Sequence, residues 1–282
     1  EGLGPDLAPE AASARALVPL LTTRVDAALL ARLPRLELVA SVSVGVDHID
    51  LDACRARGVA VTNTPDVLTE ATADLAFALL LAAARRVGEA ERALRSGGFP
   101  PWSPGFMLGK RVAGATLGIV GFGRIGRAVA RRAAGFGMRV LCTSRGDVAA
   151  EPSAERVPLG ELLARADFVS LHVPLSAATR HLLGREELAR MKPGAVLVNT
   201  SRGAVVDEAA LVEALARGPL FAAGLDVYEH EPAVHPGLLG LENVVLLPHI
   251  GSAEAETRRA MAMLAADNVV ALLEGRPLLT PV

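Results

Sequence analysis

The sequence predicts an α/β protein built on a doubly wound parallel sheet, joined to a second, smaller α/β domain. Two observations lead to this prediction. Short runs of aliphatic and β-branched residues alternate with helical patterns along most of the chain, and a glycine-rich turn connects one such run to a helix near residue 121. The 282 residues, 51% of them hydrophobic, are enough to build two domain cores.

Composition and charge argue against several classes of function. The formal net charge is −2, so nothing favours nucleic acid or a membrane surface as a partner. The most apolar run, Leu75 to Ala84, is too short to span a bilayer, and no secretory signal opens the chain. The cysteines Cys54 and Cys142 lie far apart and predict neither a disulfide nor a metal site. We therefore expect a cytoplasmic protein that acts on small molecules and binds no metal.

The first part of the chain predicts a thin parallel layer. The expected strands lie near 16–21, 36–42 and 59–63, and the expected helices near 25–33 and 50–57. Residues 1–15 are rich in Ala, Pro and Gly and show no period. Because three strands make a thin sheet, we expect an N-terminal truncation that removes one or two strands before residue 1.

The rest of the chain predicts the larger sheet. A single long helix is expected over 69–95, ended by Gly97-Gly98. The expected strands lie near 116–120, 138–143, 168–173, 195–199, 221–225 and 244–247, with a further short one near 156–158. The tail over 252–275 is predicted to be helical and to return to the first domain.

The segment "TLGIVGFGRIGRAVARRAAGFGMRV" predicts a dinucleotide site. Gly121, Gly123 and Gly126 follow a strand and open a helix, where glycines permit a tight turn, close approach of a pyrophosphate and helix–strand packing. A glycine turn without a nucleotide is the alternative. The agreement of strand, glycines, helix and second strand favours binding.

Ser144 and Arg145 end the second strand of this unit, where a carboxylate would bind the ribose 2′-hydroxyl of NAD. An arginine there attracts a 2′-phosphate instead. The pair therefore favours NADP(H). NAD(H) stays an alternative, because Asp147 lies near enough in sequence to reach the ribose.

Residues that follow parallel strands meet at one edge of the sheet and form a candidate site. These positions hold Pro174, Thr200, Ser201, Arg202, Asp226, Glu231, Pro248 and His249. An arginine can orient a keto acid, a histidine can donate a proton, and a carboxylate can hold that histidine in its protonated form. Taken singly, Arg202 could be a surface or capping residue, Glu231 a solvated loop acid and His249 a structural histidine.

Five other histidines compete with His249 for the role of proton donor: His48, His172, His181, His230 and His235. His230 is nearest in sequence to Glu231. Since it lies in a loop bounded by proline and no strand fixes it, we expect it to be solvated.

The chain resembles the D-isomer-specific 2-hydroxyacid dehydrogenase family, and within it the glyoxylate/hydroxypyruvate reductases. The resemblance runs from about Leu36 to Val282. It rests on "SVSVGVDHID", "TNTPDVLTEATADLA", "GIVGFGRIGRA", "LHVPLSAATRHLL", "MKPGAVLVNTSRGAVVDEAAL", "GLDVYEHEP" and "LLPHIGSA". It implies that Arg202, Glu231 and His249 form the catalytic trio.

The resemblance implies further roles. The backbone amides of Val44 and Gly45 would hold the substrate carboxylate, and Asp226 would lie near the nicotinamide. The loop "PPWSPGFMLG" is similar to a segment whose tryptophan reaches the neighbouring subunit's site, so Trp102 would help select small substrates in a homodimer. A simple anchoring role for Trp102 is the alternative.

These expectations combine into one fold and one site. A Rossmann dinucleotide domain is expected over 65–249, and a discontinuous, flavodoxin-like substrate domain over 1–64 and 250–282, with the active site in the cleft between them. The expected cofactor-binding residues are Gly121, Phe122, Gly123, Arg124, Ile125, Ser144, Arg145, Pro174, Thr200, Ser201, Asp226 and Gly251.

The expected reaction is NAD(P)H-dependent reduction of glyoxylate or hydroxypyruvate, with a small 2-keto acid as the only partner besides a second subunit. One alternative is an NAD-dependent dehydrogenase for another D-2-hydroxy acid such as 3-phosphoglycerate. No basic cluster beyond Arg55 and Arg57 supports a phosphate site for it. The other is a non-catalytic, nucleotide-sensing co-regulator, for which no interaction tail is evident.

Overall fold

The computed structural model describes residues 9–144 and 154–282 and divides the chain into two compact units. One unit comprises the chain up to Leu68 together with Ser252–Val282, and the other comprises Thr69–Gly251. Each unit contains a parallel sheet with helices, which confirms the predicted α/β class. No helix in the described part of the chain is long and apolar enough to cross a membrane.

The smaller unit contains a three-stranded sheet in the order β1-β2-β3. Its strands are β1 (Ala16–Leu17), β2 (Leu38–Ala40) and β3 (Ala60–Thr62), and its helices are α1 (Ala27–Ala31), α2 (Leu51–Ala56) and α10 (Ala255–Leu273), preceded by a 3-10 turn at Pro9–Ser13. Asp26 and Asp50 begin α1 and α2, since each carboxylate accepts a hydrogen bond from a backbone N–H in the first turn. Ala265 of α10 packs on Leu38 and Ala40 of β2.

The larger unit contains a seven-stranded parallel sheet in the order β6-β5-β4-β7-β8-β9-β10. The strands are β4 (Thr116–Val120), β5 (Arg139–Thr143), β6 (Ala154–Arg156), β7 (Phe168–Leu171), β8 (Ala195–Asn199), β9 (Leu220–Leu225) and β10 (Val244–Leu246). Strand order reverses between β4 and β7. In an open parallel sheet this switch point is where ligands bind, beyond the carboxyl ends of the strands.

Helices cover both faces of the larger sheet. They are α3 (Thr69–Ala84), α4 (Val87–Arg95), α5 (Arg124–Gly135), α6 (Leu159–Arg165), α7 (Arg185–Arg190), α8 (Glu208–Ala216) and α9 (Pro236–Leu239). Residues of α3 and α5 pack with Val196 and Val198 of β8, whereas residues of α6 to α9 pack with Ala195 and Leu197. Because side chains of a strand alternate between faces, the two clusters lie on opposite sides of the sheet.

The prediction of one helix over 69–95 is wrong, because the segment forms α3 and α4 with a break at Arg86. Arg86 adopts a left-handed conformation with φ of 54°. The carbonyl of Ala84 accepts a hydrogen bond from the Lys110 N–H at 2.7 Å instead of continuing the helix. A side chain at Gly109 would collide with that carbonyl oxygen, so glycine allows the returning chain to approach.

Candidate active site

The glycine-rich turn lies at the switch point of the larger sheet, between β4 and α5. Gly121 has φ of 95°, and a Cβ there would lie 2.6 Å from the carbonyl carbon of His172, which follows β7. A Cβ at Gly126 would overlap the Gly121 carbonyl oxygen. A Cβ at Gly123, by contrast, would meet no atom within 4 Å. Two glycines therefore serve packing, and the third leaves open space at the start of the helix.

This turn fits the pyrophosphate of a dinucleotide. Gly123 is the N-cap of α5, and Arg124 and Ile125 form the first turn, whose N–H groups and helix dipole favour an anion. Phe122 is buried, and the Arg127 guanidinium lies 5.2 Å from the centre of its ring. The residues present could hold a dinucleotide with its phosphates at the N-terminus of α5.

Ser144 directly follows β5, at the position where the ribose of such a dinucleotide is expected. Its carbonyl oxygen accepts a hydrogen bond from Arg156 Nη2 at 2.5 Å, which places a guanidinium of β6 beside the strand end. Arg145 and Asp147 lie outside the described residues. Of the residues predicted to select the cofactor, the structure therefore describes Ser144 alone.

Asn199, the last residue of β8, organises the loop that carries Arg202. Its Oδ1 accepts hydrogen bonds from the N–H and the hydroxyl of Ser201 at 3.0 and 2.8 Å, and its Nδ2 donates to the Arg202 carbonyl at 2.9 Å. The neighbouring Thr200 Oγ1 is buried and has no hydrogen-bond partner among the described residues. Asn199 was missed at the sequence level, although an Asn at a strand end signals such a side-chain turn.

Close packing brings the Arg202 loop next to the loop that follows β9. A Cβ at Gly203 would overlap the backbone of Tyr228, so only glycine fits. The Tyr228 hydroxyl donates to the Leu247 carbonyl at 2.9 Å and ties the same loop to the end of β10. Burial raises the pKa of Tyr228 to about 12, so this hydroxyl stays a donor. Gly203 and Tyr228 are further residues that the sequence did not single out.

Glu231 and His249 form a direct pair at this edge of the sheet. His249 Nδ1 lies 2.7 Å from Glu231 Oε2, and Glu231 Oε1 accepts a hydrogen bond from the Tyr228 N–H at 3.0 Å. The side chains are 34% and 30% exposed for Glu231 and His249. Burial alone would raise the pKa of Glu231, but the hydrogen bonds from His249 and Tyr228 and the charge of Arg202 outweigh it and leave that pKa below its usual value.

Asp226 supports the turn that carries His249. Its Oδ1 accepts a hydrogen bond from the Ile250 N–H at 2.7 Å, and His249 itself has a left-handed φ of 55°. Burial raises the pKa of Asp226, against the effect of the Ile250 N–H. Its Oδ2 is buried without a hydrogen-bond partner among the described residues, and Gly251 packs beside it. Asp226 therefore fixes the backbone that directly follows His249.

The remaining predicted site residues belong to other segments of the chain. Val44 and Gly45 belong to the smaller unit, where Asn63 Nδ2 donates to the Val44 carbonyl at 2.9 Å and Ser43 Oγ donates to the Gly45 carbonyl at 2.7 Å. Trp102 lies in the loop after α4 and is 87% exposed. Pro174, after β7, is exposed at the same end of the sheet as the glycine turn.

The other histidines have different surroundings. Burial lowers the pKa of His172 to about 4, and its Nε2 lies 2.8 Å from Ser170 Oγ. His235 accepts a hydrogen bond from Gly237 at the start of α9, and His230 is exposed. His181 pairs with Glu229 at 2.6 Å. Two histidine–glutamate pairs thus occur in the described part of the larger unit.

A glycine turn at the switch point and a His–Glu pair after the strands of the same sheet fit a dinucleotide-dependent dehydrogenase, and comparison with known proteins agrees. The family model described as D-isomer specific 2-hydroxyacid dehydrogenase, NAD binding domain, matches residues 77–251. The chain therefore belongs to the D-isomer specific 2-hydroxyacid dehydrogenase family, which confirms the resemblance seen in the sequence.

Similar proteins include two archaeal glyoxylate reductases. That of Korarchaeum cryptofilum is 56% identical over 266 residues, which cover 92% of this chain and 80% of the relative. That of Thermococcus litoralis is 52% identical over 267 residues, covering 92% and 81%. A solved NADPH-dependent glyoxylate/hydroxypyruvate reductase from Sinorhizobium meliloti, in complex with NADP and malonate, is 39% identical with a TM-score of 0.89, covering 98% of this chain and 86% of that one.

Proposed function

We propose that the protein reduces glyoxylate or hydroxypyruvate to the corresponding 2-hydroxy acid, with NADPH preferred over NADH. The observation that carries the proposal is the 2.7 Å hydrogen bond between His249 Nδ1 and Glu231 Oε2 beside the Arg202 loop. It is supported by glyoxylate reductases that share half or more of their aligned residues with this chain.

The proposed chemistry divides between the cofactor and three side chains. When bound, the reduced nicotinamide supplies a hydride to the keto carbon. His249 Nδ1 is engaged with Glu231, so Nε2 is the nitrogen that donates a proton to the developing hydroxyl oxygen. The Glu231 carboxylate stabilises the protonated imidazole, and the Arg202 guanidinium binds the substrate carboxylate or polarises its carbonyl.

The remaining predicted residues complete the proposal. The unit Thr69–Gly251 would bind the dinucleotide through the turn at Gly121, Gly123 and the strand ends, and the backbone amides of Val44 and Gly45 in the other unit would hold the substrate carboxylate. Asp226 would lie near the nicotinamide. The protein would act in the cytoplasm as a homodimer, in which Trp102 of one chain helps the other to select small substrates.

The preference for NADPH is supported by two features. No carboxylate stands at Ser144, and Arg156 lies against its carbonyl. The similar reductase from Sinorhizobium meliloti is NADPH-dependent. A 2′-phosphate would gain charge-assisted hydrogen bonds from arginine at this position, whereas NADH would not.

Initial rates of cofactor oxidation test the function. Glyoxylate, hydroxypyruvate and 3-phosphohydroxypyruvate are each assayed with NADPH and with NADH. We expect turnover of the first two with NADPH, and a loss of about 100-fold or more in kcat for His249→Ala because the proton donor is gone. Arg145→Ala is expected to raise KM for NADPH and leave that for NADH unchanged.

His230→Ala is the matched control, since this exposed histidine lies in the same loop as Glu231. It is expected to retain wild-type turnover. Near-normal kcat in His249→Ala would refute the catalytic assignment. A purified wild-type chain that binds the dinucleotide but oxidises it with none of these acids would favour the sensor alternative.

A further inference from the structure

We propose that His181 and Glu229 are positioning residues that hold the Arg202 loop and the Glu231 loop in register. The inference rests on the proposed function and adds a second pair of residues to it. His181 Nε2 and Glu229 Oε1 are 2.6 Å apart, which is hydrogen-bond distance for an imidazole that carries a proton on Nε2 and donates it to the carboxylate. The side chains are 41% and 14% exposed, so the carboxylate is largely removed from water.

The backbone of His181 is tied to the segment just after Arg202. The His181 N–H donates to the Ala204 carbonyl at 2.8 Å, and the Leu183 N–H donates to the Val205 carbonyl at 3.1 Å. Because of these two hydrogen bonds, the segment 181–183 lies alongside the turn that begins at Arg202. Any shift of the Arg202 loop therefore moves His181 with it.

Glu229 is tied in the same way to Glu231. In the sequence it lies between Tyr228 and Glu231. The Tyr228 N–H donates a hydrogen bond to Glu231 Oε1 at 3.0 Å. The Glu229 N–H donates to Oε1 of the buried Glu208 at 2.8 Å, which fixes the backbone at this point. The hydrogen bond between His181 and Glu229 consequently joins the two loops through side chains.

The backbone of His181 supports a role beyond simple packing. Its φ of 50° lies in the left-handed region, which costs a residue other than glycine free energy and persists where its surroundings hold it. Here that conformation coincides with an N–H bonded to one loop and a ring bonded to the other. Glycine would fit the backbone better but would lose the link to Glu229.

Loss of this link should affect catalysis more than folding. His181 is the more exposed partner, so water can take the place of its ring beside Glu229, and we expect the loss of stability to be small. Arg202 and Glu231, however, must be held within a fraction of an ångström for efficient reduction, since misplacement by about 1 Å can cost about 100-fold in rate. The glycine turn at β4 and α5 does not depend on this link, and cofactor binding should be preserved.

The test compares wild type with His181→Ala, Glu229→Ala, the double variant and His181→Gln. We expect kcat for glyoxylate reduction to fall about tenfold in each single alanine variant. The double variant should fall no further, because both substitutions break the same link. His181→Gln should recover most of the rate, since the Gln amide can donate to Glu229. The Kd for NADPH and the unfolding temperature should stay near wild type.

His230→Ala, in the same loop as Glu229, is the control and should keep full activity. Unchanged kcat in His181→Ala, additive losses in the double variant, or a loss seen only with lower thermal stability or weaker NADPH binding would each overturn the inference. A wild-type chain without turnover would overturn the proposed function and this inference together. An active wild type beside a fully active His181→Ala would overturn the inference alone.

Discussion

At the scale of single residues, the charge of Glu231 governs the candidate site. Hydrogen bonds from His249 and Tyr228 hold its pKa below the usual value despite burial, so it is ionised at neutral pH. A carboxyl whose pKa is lowered in the folded state adds stability above its unfolded pKa, and that stability is lost as pH falls through the lowered value. Its pairing with His249 should therefore persist through neutral pH and fail only in acid.

Glu231→Gln removes the negative charge but keeps an acceptor for His249 Nδ1. The protonated imidazole then lacks its counter-charge, so we expect kcat for glyoxylate reduction to fall about 10- to 100-fold at neutral pH. Initial rates of glyoxylate reduction at neutral pH measure this loss.

Glu186→Gln, which changes a largely exposed glutamate of α7, is the control and should keep the wild-type kcat. A Glu231→Gln protein with the wild-type kcat would show that the charge of Glu231 does not support His249.

The sequence identified side chains that follow strands, but it did not identify the residues that hold those side chains in place. Arg202, Glu231 and His249 could be collected because parallel strands bring their carboxyl ends to one edge. Gly203 and the partnership of His181 with Glu229 depend on contacts between segments distant in sequence. Neither the periodicity nor the spacing of residues indicates which distant segments are in contact. The link between the two loops could therefore be identified only from the three-dimensional structure.

At the scale of elements, the glycines of the turn between β4 and α5 have different roles. Gly126 lets the helix pack on the turn, since a Cβ there would overlap the Gly121 carbonyl oxygen. A Cβ at Gly123 would meet no atom within 4 Å, so the missing side chain there leaves space that a ligand can use. The glycine motif therefore contains one position, Gly126, that is required for packing and another, Gly123, that is suited to ligand binding.

Alanine substitutions should separate these tasks. Gly126→Ala is expected to lower the free energy of unfolding by about 2 kcal/mol through overpacking. Gly123→Ala should leave it nearly unchanged but raise the Kd for NADPH about tenfold or more, equivalent to about 1.4 kcal/mol. Chemical denaturation of the free protein and titration with NADPH measure the two quantities.

Gly135→Ala, at the end of the same helix, is the control for both, since a Cβ there would likewise meet no atom within 4 Å. It should bind NADPH normally and be no less stable than wild type. Equal NADPH affinity in Gly123→Ala and wild type would contradict a pyrophosphate at this turn.

The break between α3 and α4 marks where element prediction failed. Residues 85–86 contain no glycine or proline, and the helical pattern runs through them without interruption. The helix ends because the Ala84 carbonyl accepts a hydrogen bond from the N–H of Lys110, 26 positions further along the chain. In a continuing helix that carbonyl would accept from the next turn. Strand positions in the larger sheet were predicted closely because buried parallel strands are continuous apolar runs bounded by turns.

At the scale of the whole molecule, exposed apolar side chains on α4 and the loop after it form a candidate subunit interface. Leu94, Phe99, Trp102 and Leu108 are all exposed, with Phe99 at 79% and Trp102 at 87%. A groove of about 810 Å³ between α3 and α4 adds Leu81 and Val87 to this surface. An apolar area of this kind is costly to leave in water, and a second copy of the chain would cover it.

Sedimentation of the wild-type protein should therefore give the mass of two chains of 29.2 kDa each. Phe99→Glu places a charge in this surface and should shift the equilibrium towards single chains at micromolar concentration, because an unpaired charge in an apolar interface is strongly disfavoured. Leu273→Glu, at an exposed leucine of α10, is the control and should sediment as wild type. If Trp102 serves the other subunit, the monomeric variant should also lose discrimination between glyoxylate and larger keto acids while it still binds NADPH. A Phe99→Glu protein that stays dimeric would place the interface elsewhere.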